Sequence, residues 1–212
     1  MDKELEDARR RISELEQQLD ESQREVRLMK LRRQVTPHFL YNGISVAVSL
    51  VMQSPGTAIK FLRHLAQIYR YLQNYGDEYQ VPVEQELELM RQYYNLMCLR
   101  HVDCIILNIS PEVKLLKSYP LPPLSLLGLM ENAIKHNVHT EEDPLSVSLD
   151  TDGRYLSISN KIVPLVSDTD STHLGLAYID ETMRQLFKRG IEIINDGNMF
   201  KVMIPLIDMR QV

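Results

Sequence analysis

Every seventh residue from Leu5 through Ile12 and Leu19 to Val26 is apolar, and Ala8, Leu15, Ser22 and Met29 each follow three places later. A seven-residue repeat keeps one helical seam facing a partner, so this stretch predicts a coiled-coil strand and not a piece of globular core. Outside the seam, residues 1–35 carry dense charge of alternating sign and neither Gly nor Pro, as the solvated faces of a two-stranded coil require. The usual consequence is a parallel homodimer, whether the segment is native or an added dimeriser.

Carried forward, the register puts Arg33 and Leu40 at a, Thr36 and Gly43 at d, and His38 at the outward f position. Asn42 follows His38 at i+4 on the same face, where its amide can hold one imidazole nitrogen and leave the other free. Pro37 removes a backbone N–H and predicts a kink beside the imidazole. The alternative on this segment alone is that Thr36 and Pro37 cap a new helix, as N-cap and N1, and that His38 is an ordinary surface residue.

At 212 residues the chain has room for one ordinary domain and a helical appendage. A formal charge of −5 leaves no broad basic face, which argues against a nucleic-acid surface. Cys98 and Cys104 match neither a disulfide framework nor a metal knuckle and suit a reducing cytosol. The longest apolar run, Ile44 to Met52, is well short of the ~20 residues needed to cross a bilayer. With a charged N-terminus and no signal peptide, membrane attachment is expected only through a portion absent from this chain.

From Phe39 the apolar set widens to Leu40, Ile44, Ala47, Val48 and Val51, a face suited to a bundle. Gln53-Ser54-Pro55-Gly56 breaks the helix, and a second one runs from about Thr57 to Tyr75 with Ile59, Leu62, Leu65, Ala66, Tyr69 and Leu72 inward. Two copies of this antiparallel hairpin, clamped by the coiled coil, predict a four-helix bundle with His38 on each outer surface. Gly76-Asp77-Glu78-Tyr79 ends the unit, and the pattern becomes mixed. Gln80 to Val83 reads as a strand, Glu84 to His101 as a helix with Glu84 and Glu86 suiting its dipole, and Asp103 to Ser110 as a strand. The stiff connector Tyr119 to Pro123 feeds a helix from Leu124 to Val138. Strands follow over Leu145 to Leu149 and Tyr155 to Ser159, turned by Asp152-Gly153. A polar loop, Ser167 to His173, leads to a helix from Gly175 to Lys188, and Ile191 to Ile194 and Met199 to Pro205 form a hairpin. This order predicts an α+β sandwich, an antiparallel or mixed sheet with helices on one face.

In the helix from Leu124, the residues Leu124, Leu127, Met130, Ile134 and Val138 would pack on the sheet, while Asn132, Lys135 and His136 project together at i, i+3 and i+4. A neutral oxygen for hydrated Mg²⁺ beside an ammonium for phosphate oxygens is what triphosphate binding needs. An ordinary solvated helix face is the alternative. His136 and His139 have metal-ligand spacing but no evident third ligand.

Together these segments resemble the LytS-type sensor histidine kinases, whose cytoplasmic part joins a dimerisation and phosphoacceptor hairpin to a GHKL ATP-binding domain. The resemblance runs from about Leu31 to Leu206. Gln34-Val35-Thr36-Pro37-His38-Phe39-Leu40-Tyr41-Asn42 is similar to the phosphoacceptor box. Leu121-Pro122-Pro123 through Glu131-Asn132-Ala133-Ile134-Lys135-His136 is similar to the N box, and Glu84 to Arg100, with Tyr93-Tyr94, to the connecting helix. The resemblance implies three parts: a coiled coil over 1–35, a dimerisation and histidine phosphotransfer hairpin over 36–80, and an HATPase-like ATP-binding domain of GHKL type, an α/β sandwich, over 81–212. His38 would be the phosphorylated residue, with Asn42 beside it and Glu131 a candidate base. Asn132 would be the Mg²⁺ ligand, Lys135 and His136 phosphate neighbours, and Asn160, Gly175 and Leu176 the remaining ATP contacts. The implied partners are a second copy of the chain and a response regulator of LytTR type. The implied location is the cytoplasmic side of the inner membrane.

The sequence also departs from that pattern. Many GHKL domains place Asp-x-Gly where this chain has Asn160-Lys161-Ile162; Asn160 can still accept through its carbonyl, but without charge. His173 stands where a glycine is usual, and Tyr178 where Asn is frequent. These departures support a second possibility, a non-catalytic pseudokinase or dimeric scaffold with a degenerate nucleotide pocket.

Overall fold

The structure, a computed structural model, describes residue 11 and residues 41–76, 78–100, 104–163 and 174–207. The expected coiled coil, His38 and His173 lie outside the described residues.

Two helices come first, α1 through residues 41–53 and α2 over Pro55–Tyr75, with Ser54 alone between them. The expected break was wider. Ser54 takes the N-cap and Pro55 the first helical turn, where a missing N–H costs nothing, so Gly56 is already helical. The inward face also differs from expectation. Ala58, Phe61, Leu65, Ile68 and Tyr71 are buried, whereas Ile59, Leu62 and Tyr69 are exposed. Because α2 is apolar most of the way round, its periodicity fits two stripes, and contact with α3 selects one of them. On α1, Gly43 lies over Leu65, where an added methyl would come within 2.9 Å of a Leu65 methyl.

Beyond the hairpin, β1 (Val81–Pro82) pairs antiparallel with β3 (Pro120–Leu121), and α3 (Val83–Arg100) starts directly from β1. The main sheet holds β2 (Ile105–Ile109), β4 (Leu145–Thr151), β5 (Tyr155–Lys161), β6 (Glu192–Asn195) and β7 (Met199–Pro205) in the order β2-β4-β5-β7-β6. Only β2 and β4 run parallel; the other neighbours are antiparallel, so the sheet is mixed. The β4–β5 and β6–β7 turns are alike: Gly153 and Gly197 take positive φ near 82° and 85°, and Asp152 and Asp196 each accept two backbone N–H bonds across the turn.

Alternation at period two turns Leu145, Val147 and Leu149 inward and Ser146 and Asp150 outward. The inner face meets α3, α4 (Ser125–His136) and α5 (Leu174–Phe187) in one core whose fully buried members include Met90, Met130, Leu156 and Met183. Each such side chain contributes roughly 1.5–3 kcal/mol of transfer free energy. The same core continues through Phe61, Ile68 and Tyr71, because α2 lies along α3. Val138 is the exception to the expected apolar face: the chain leaves the helix at Asn137 and Val138 is exposed. No helix among the described residues is long and apolar enough to cross a membrane.

Candidate functional site on helix α4

Helix α4 carries four of the nine residues that sequence points to, and its own apolar side is fully committed: Leu126, Leu127, Leu129, Met130, Ala133 and Ile134 are buried. What remains is held by its two ends.

At the N-terminal end Leu124 adopts φ 66°, a left-handed conformation that costs a non-glycine residue roughly 1–2 kcal/mol. Glu86 of α3, with no exposed surface, holds this turn. Its Oε1 accepts the Leu124 N–H at 2.8 Å and its Oε2 the Leu126 N–H at 2.8 Å. The Tyr71 hydroxyl of α2 donates to Oε1 as well. The Ser125 hydroxyl donates to Pro122 O and lies 3.3 Å from Oε2. A carboxylate from a neighbouring helix thus satisfies N–H groups that a helix start leaves unpaired, and it sits at the positive end of the dipole. Burial pushes the Glu86 carboxyl above the usual carboxylate range, and the donated hydrogen bonds, that of Tyr71 first, pull it back. Burial, then the Glu86 charge, keep the Tyr71 phenol protonated far above its ordinary range.

At the C-terminal end Asn137 is buried and extended. Its Nδ2 donates to Ala133 O at 2.8 Å, its Oδ1 accepts the Val163 N–H at 2.7 Å, and the Val138 N–H reaches Val163 O at 2.8 Å. The residues leaving β5 are therefore stapled to the end of α4.

Between these ends Glu131, Asn132 and His136 are half-buried and Lys135 is exposed. The Glu131 charge acts electrostatically on Tyr93 of α3: burial raises that phenol first, the Glu131 charge adds to it, and Arg100 opposes it. Helix α5 packs against α4. Among the described residues nothing lies within 4 Å of where a Gly175 methyl would be. Leu176 instead packs on the core, and Tyr178 is buried. Asn160 is buried near the end of β5, its Nδ2 donating to Lys161 O at 2.8 Å. Asn42 is exposed on α1. The structure thus gathers Glu131, Asn132, Lys135 and His136 on one helix, against which α5 packs.

The resemblance implies ATP and Mg²⁺, and the donor set suits them. Asn132 offers a hard neutral oxygen and Lys135 an ammonium. Glu86 and Asn137 escaped sequence reasoning. A signal for Glu86 exists: it is a carboxylate set in the apolar stripe Val83, Leu87, Met90.

Residues 26–105 match the histidine kinase family model, a range that takes in the His38 box and α1 to α3. Over that range the chain is similar to histidine kinases. Sensor protein kinase HptS of Staphylococcus aureus strain USA300 is 30% identical over 126 residues, which are 59% of this chain and 24% of HptS. HptS of strain NCTC 8325 / PS 47 gives the same values. The chain spans about a quarter of the length of these curated relatives. Among solved structures, histidine kinase AdeS of Acinetobacter baumannii aligns with a TM-score of 0.41 at 16% identity, over 83% of this chain and 98% of that one. The catalytic domain of histidine kinase ThkA aligns with a TM-score of 0.38 at 14% identity, over 59% and 94%.

Proposed function

We propose that this chain is the cytoplasmic part of a LytS-type sensor histidine kinase, which transfers the γ-phosphoryl group of ATP to His38 and then to an aspartate of a LytTR-type response regulator. The observation that carries this reading is the grouping on α4: Asn132, Lys135 and His136 stand off the packed face of a helix pinned at both ends, and α5 packs against that helix. The family match over the His38 box supports the acceptor half.

Asn132 would hold Mg²⁺, Lys135 and His136 would meet phosphate oxygens, and the backbone at Gly175 and Leu176 would face them from the start of α5. Asn160 would accept from the adenine amino group. The bound nucleotide supplies an activated phosphoryl group. His38 is the nucleophile, kept in one tautomer by Asn42. Lys135 offsets the charge that develops on the phosphoryl oxygens. Glu131, half-buried on α4, is a candidate base.

The same proposal divides the chain into a coiled coil over 1–35, a phosphotransfer hairpin over 36–80 and an ATP-binding domain over 81–212. Ile44, Val48 and Val51 on α1 and Ile59, Leu62 and Tyr69 on α2 are exposed. Such rows are what two hairpins would bury in a homodimeric four-helix bundle. Attachment at the cytoplasmic side of the inner membrane would come from a portion outside this chain.

Incubation with γ-labelled Mg-ATP is expected to label the parent and not His38→Gln; a labelled His38→Gln protein removes the phosphoacceptor assignment. One observation favours the scaffold alternative, the neutral Asn160 amide partly committed to Lys161 O. Thermal unfolding separates the two readings, since a ligand that binds only the native state raises the melting temperature. A rise with millimolar Mg-ATP supports the kinase, and no rise supports the scaffold.

A further inference from the structure

Three helices meet at one buried carboxylate. Glu86 belongs to α3, Tyr71 donates to it from α2, Leu124 and Leu126 donate from the start of α4, and Tyr178 of α5 acts electrostatically on the Tyr71 phenol. The α2 and α3 helices are joined again two turns of α2 earlier, where His64 Nδ1 lies 2.7 Å from Gln92 Oε1. Apolar packing can slide by fractions of an ångström, but a phenol hydrogen-bonded to a carboxylate fixes distance and direction. The Leu124 turn is also in a conformation that it does not adopt by preference, so its geometry depends on what holds it.

We propose that the Tyr71–Glu86 hydrogen bond is a coupling joint, through which the hairpin sets the position of α4 and hence of Asn132 and Lys135. Glu86 and Tyr71 are positioning residues: neither carries the chemistry, and both act through the α4 start. A shift of α2 along α3 moves the phenol relative to the carboxylate. The carboxylate then has to choose between following Tyr71 and keeping the Leu124 and Leu126 N–H groups. Movement of the hairpin is thereby converted into loosening or tightening of the first turn of α4. This inference rests on the kinase reading only where it names the consequence for phosphoryl transfer; the joint itself does not.

Tyr71→Phe tests it in the full chain, because the ring and its packing stay and only the donor goes. Backbone hydrogen exchange at Leu124 and Leu126 is expected to quicken about tenfold, the factor that loss of a hydrogen bond to a charged group represents, with β4 and β5 amides unchanged. His38 labelling is expected to slow by about the same factor while Mg-ATP affinity stays within about threefold, a split that places the loss in the transfer step. Glu86→Gln, which keeps shape but replaces one acceptor oxygen by a donating amide NH2, should repeat the exchange pattern. Unchanged exchange at Leu124 and Leu126 in Tyr71→Phe overturns the joint. Parent protein that fails to label while Tyr71→Phe still loosens α4 upholds the joint and overturns the kinase reading instead. Labelling of Tyr71→Phe at the parent rate, with α4 loosened, overturns the link from the joint to transfer.

Discussion

The two ends of α4 are held by opposite chemistry. At the start a charged group, fully out of water, gathers donors from two other elements around a strained turn. At the finish a neutral amide spends one donor and one acceptor on backbone, within its own helix and on the exit of β5. A carboxylate collects more partners per side chain, yet its removal strands all of them; an amide is the cheaper clamp and binds more local structure. The difference teaches which body each end answers to. The first turn is tied to the hairpin, and the last turn, nearest Lys135 and His136, is tied to the sheet.

The largest effect is expected from Glu86→Ala, which leaves two backbone N–H groups and the Tyr71 hydroxyl without their acceptor and releases the Leu124 turn. Chemical denaturation should show a loss of about 3–5 kcal/mol. Asn137→Ala should cost about 2 kcal/mol, because Ala133 O and the Val163 N–H lose one partner each. An Asn137→Ala protein less stable than Glu86→Ala would reverse the ranking of the two ends.

Smaller, and of definite sign, is the pH dependence. Burial raises the Glu86 carboxyl, so its contribution is fully present below the unfolded carboxyl value and fades as pH rises through the folded one. Glu86→Gln should flatten that decline in unfolding free energy against pH. The hairpin aspartates run the other way. Backbone N–H bonds, from Tyr155 first for Asp152 and from Met199 first for Asp196, lower both carboxyls. Their contribution is present above the unfolded value and lost as pH falls through the folded one. Asp152→Asn and Asp196→Asn should give the smallest changes, seen as a shallower acid limb, since both turns are in open solvent.

The strands, both Asp-Gly turns and the helix that became α4 were legible because each depends on neighbours in sequence. Leu145, Val147 and Leu149 alternate, and Asn132, Lys135 and His136 fall on one side of a helix whatever it packs on. The inward face of α2 was not legible. Ile59, Leu62 and Tyr69 have the same spacing as Ala58, Phe61, Leu65 and Ile68, and only the presence of α3 decides between the rows. Glu86 was read as a charge suited to the dipole of its own helix, whereas it serves the dipole of another helix, 38 to 40 residues on. Asn137 drew no reading at all, because one of its partners, Val163, is 26 residues away. Long-range polar pairs leave no period in a sequence.

The strand order carries a consequence for how the chain is made. Strand β7 lies between β5 and β6, so it follows both of its neighbours in synthesis and joins a sheet whose gap waits for it. Until Val202 and Ile204 arrive, Leu156 and Ile158 have an unpaired flank and β6 has nothing to pair with. A ribosome stalled just before Met199 would therefore display an open apolar edge, the kind of surface that chaperones recognise.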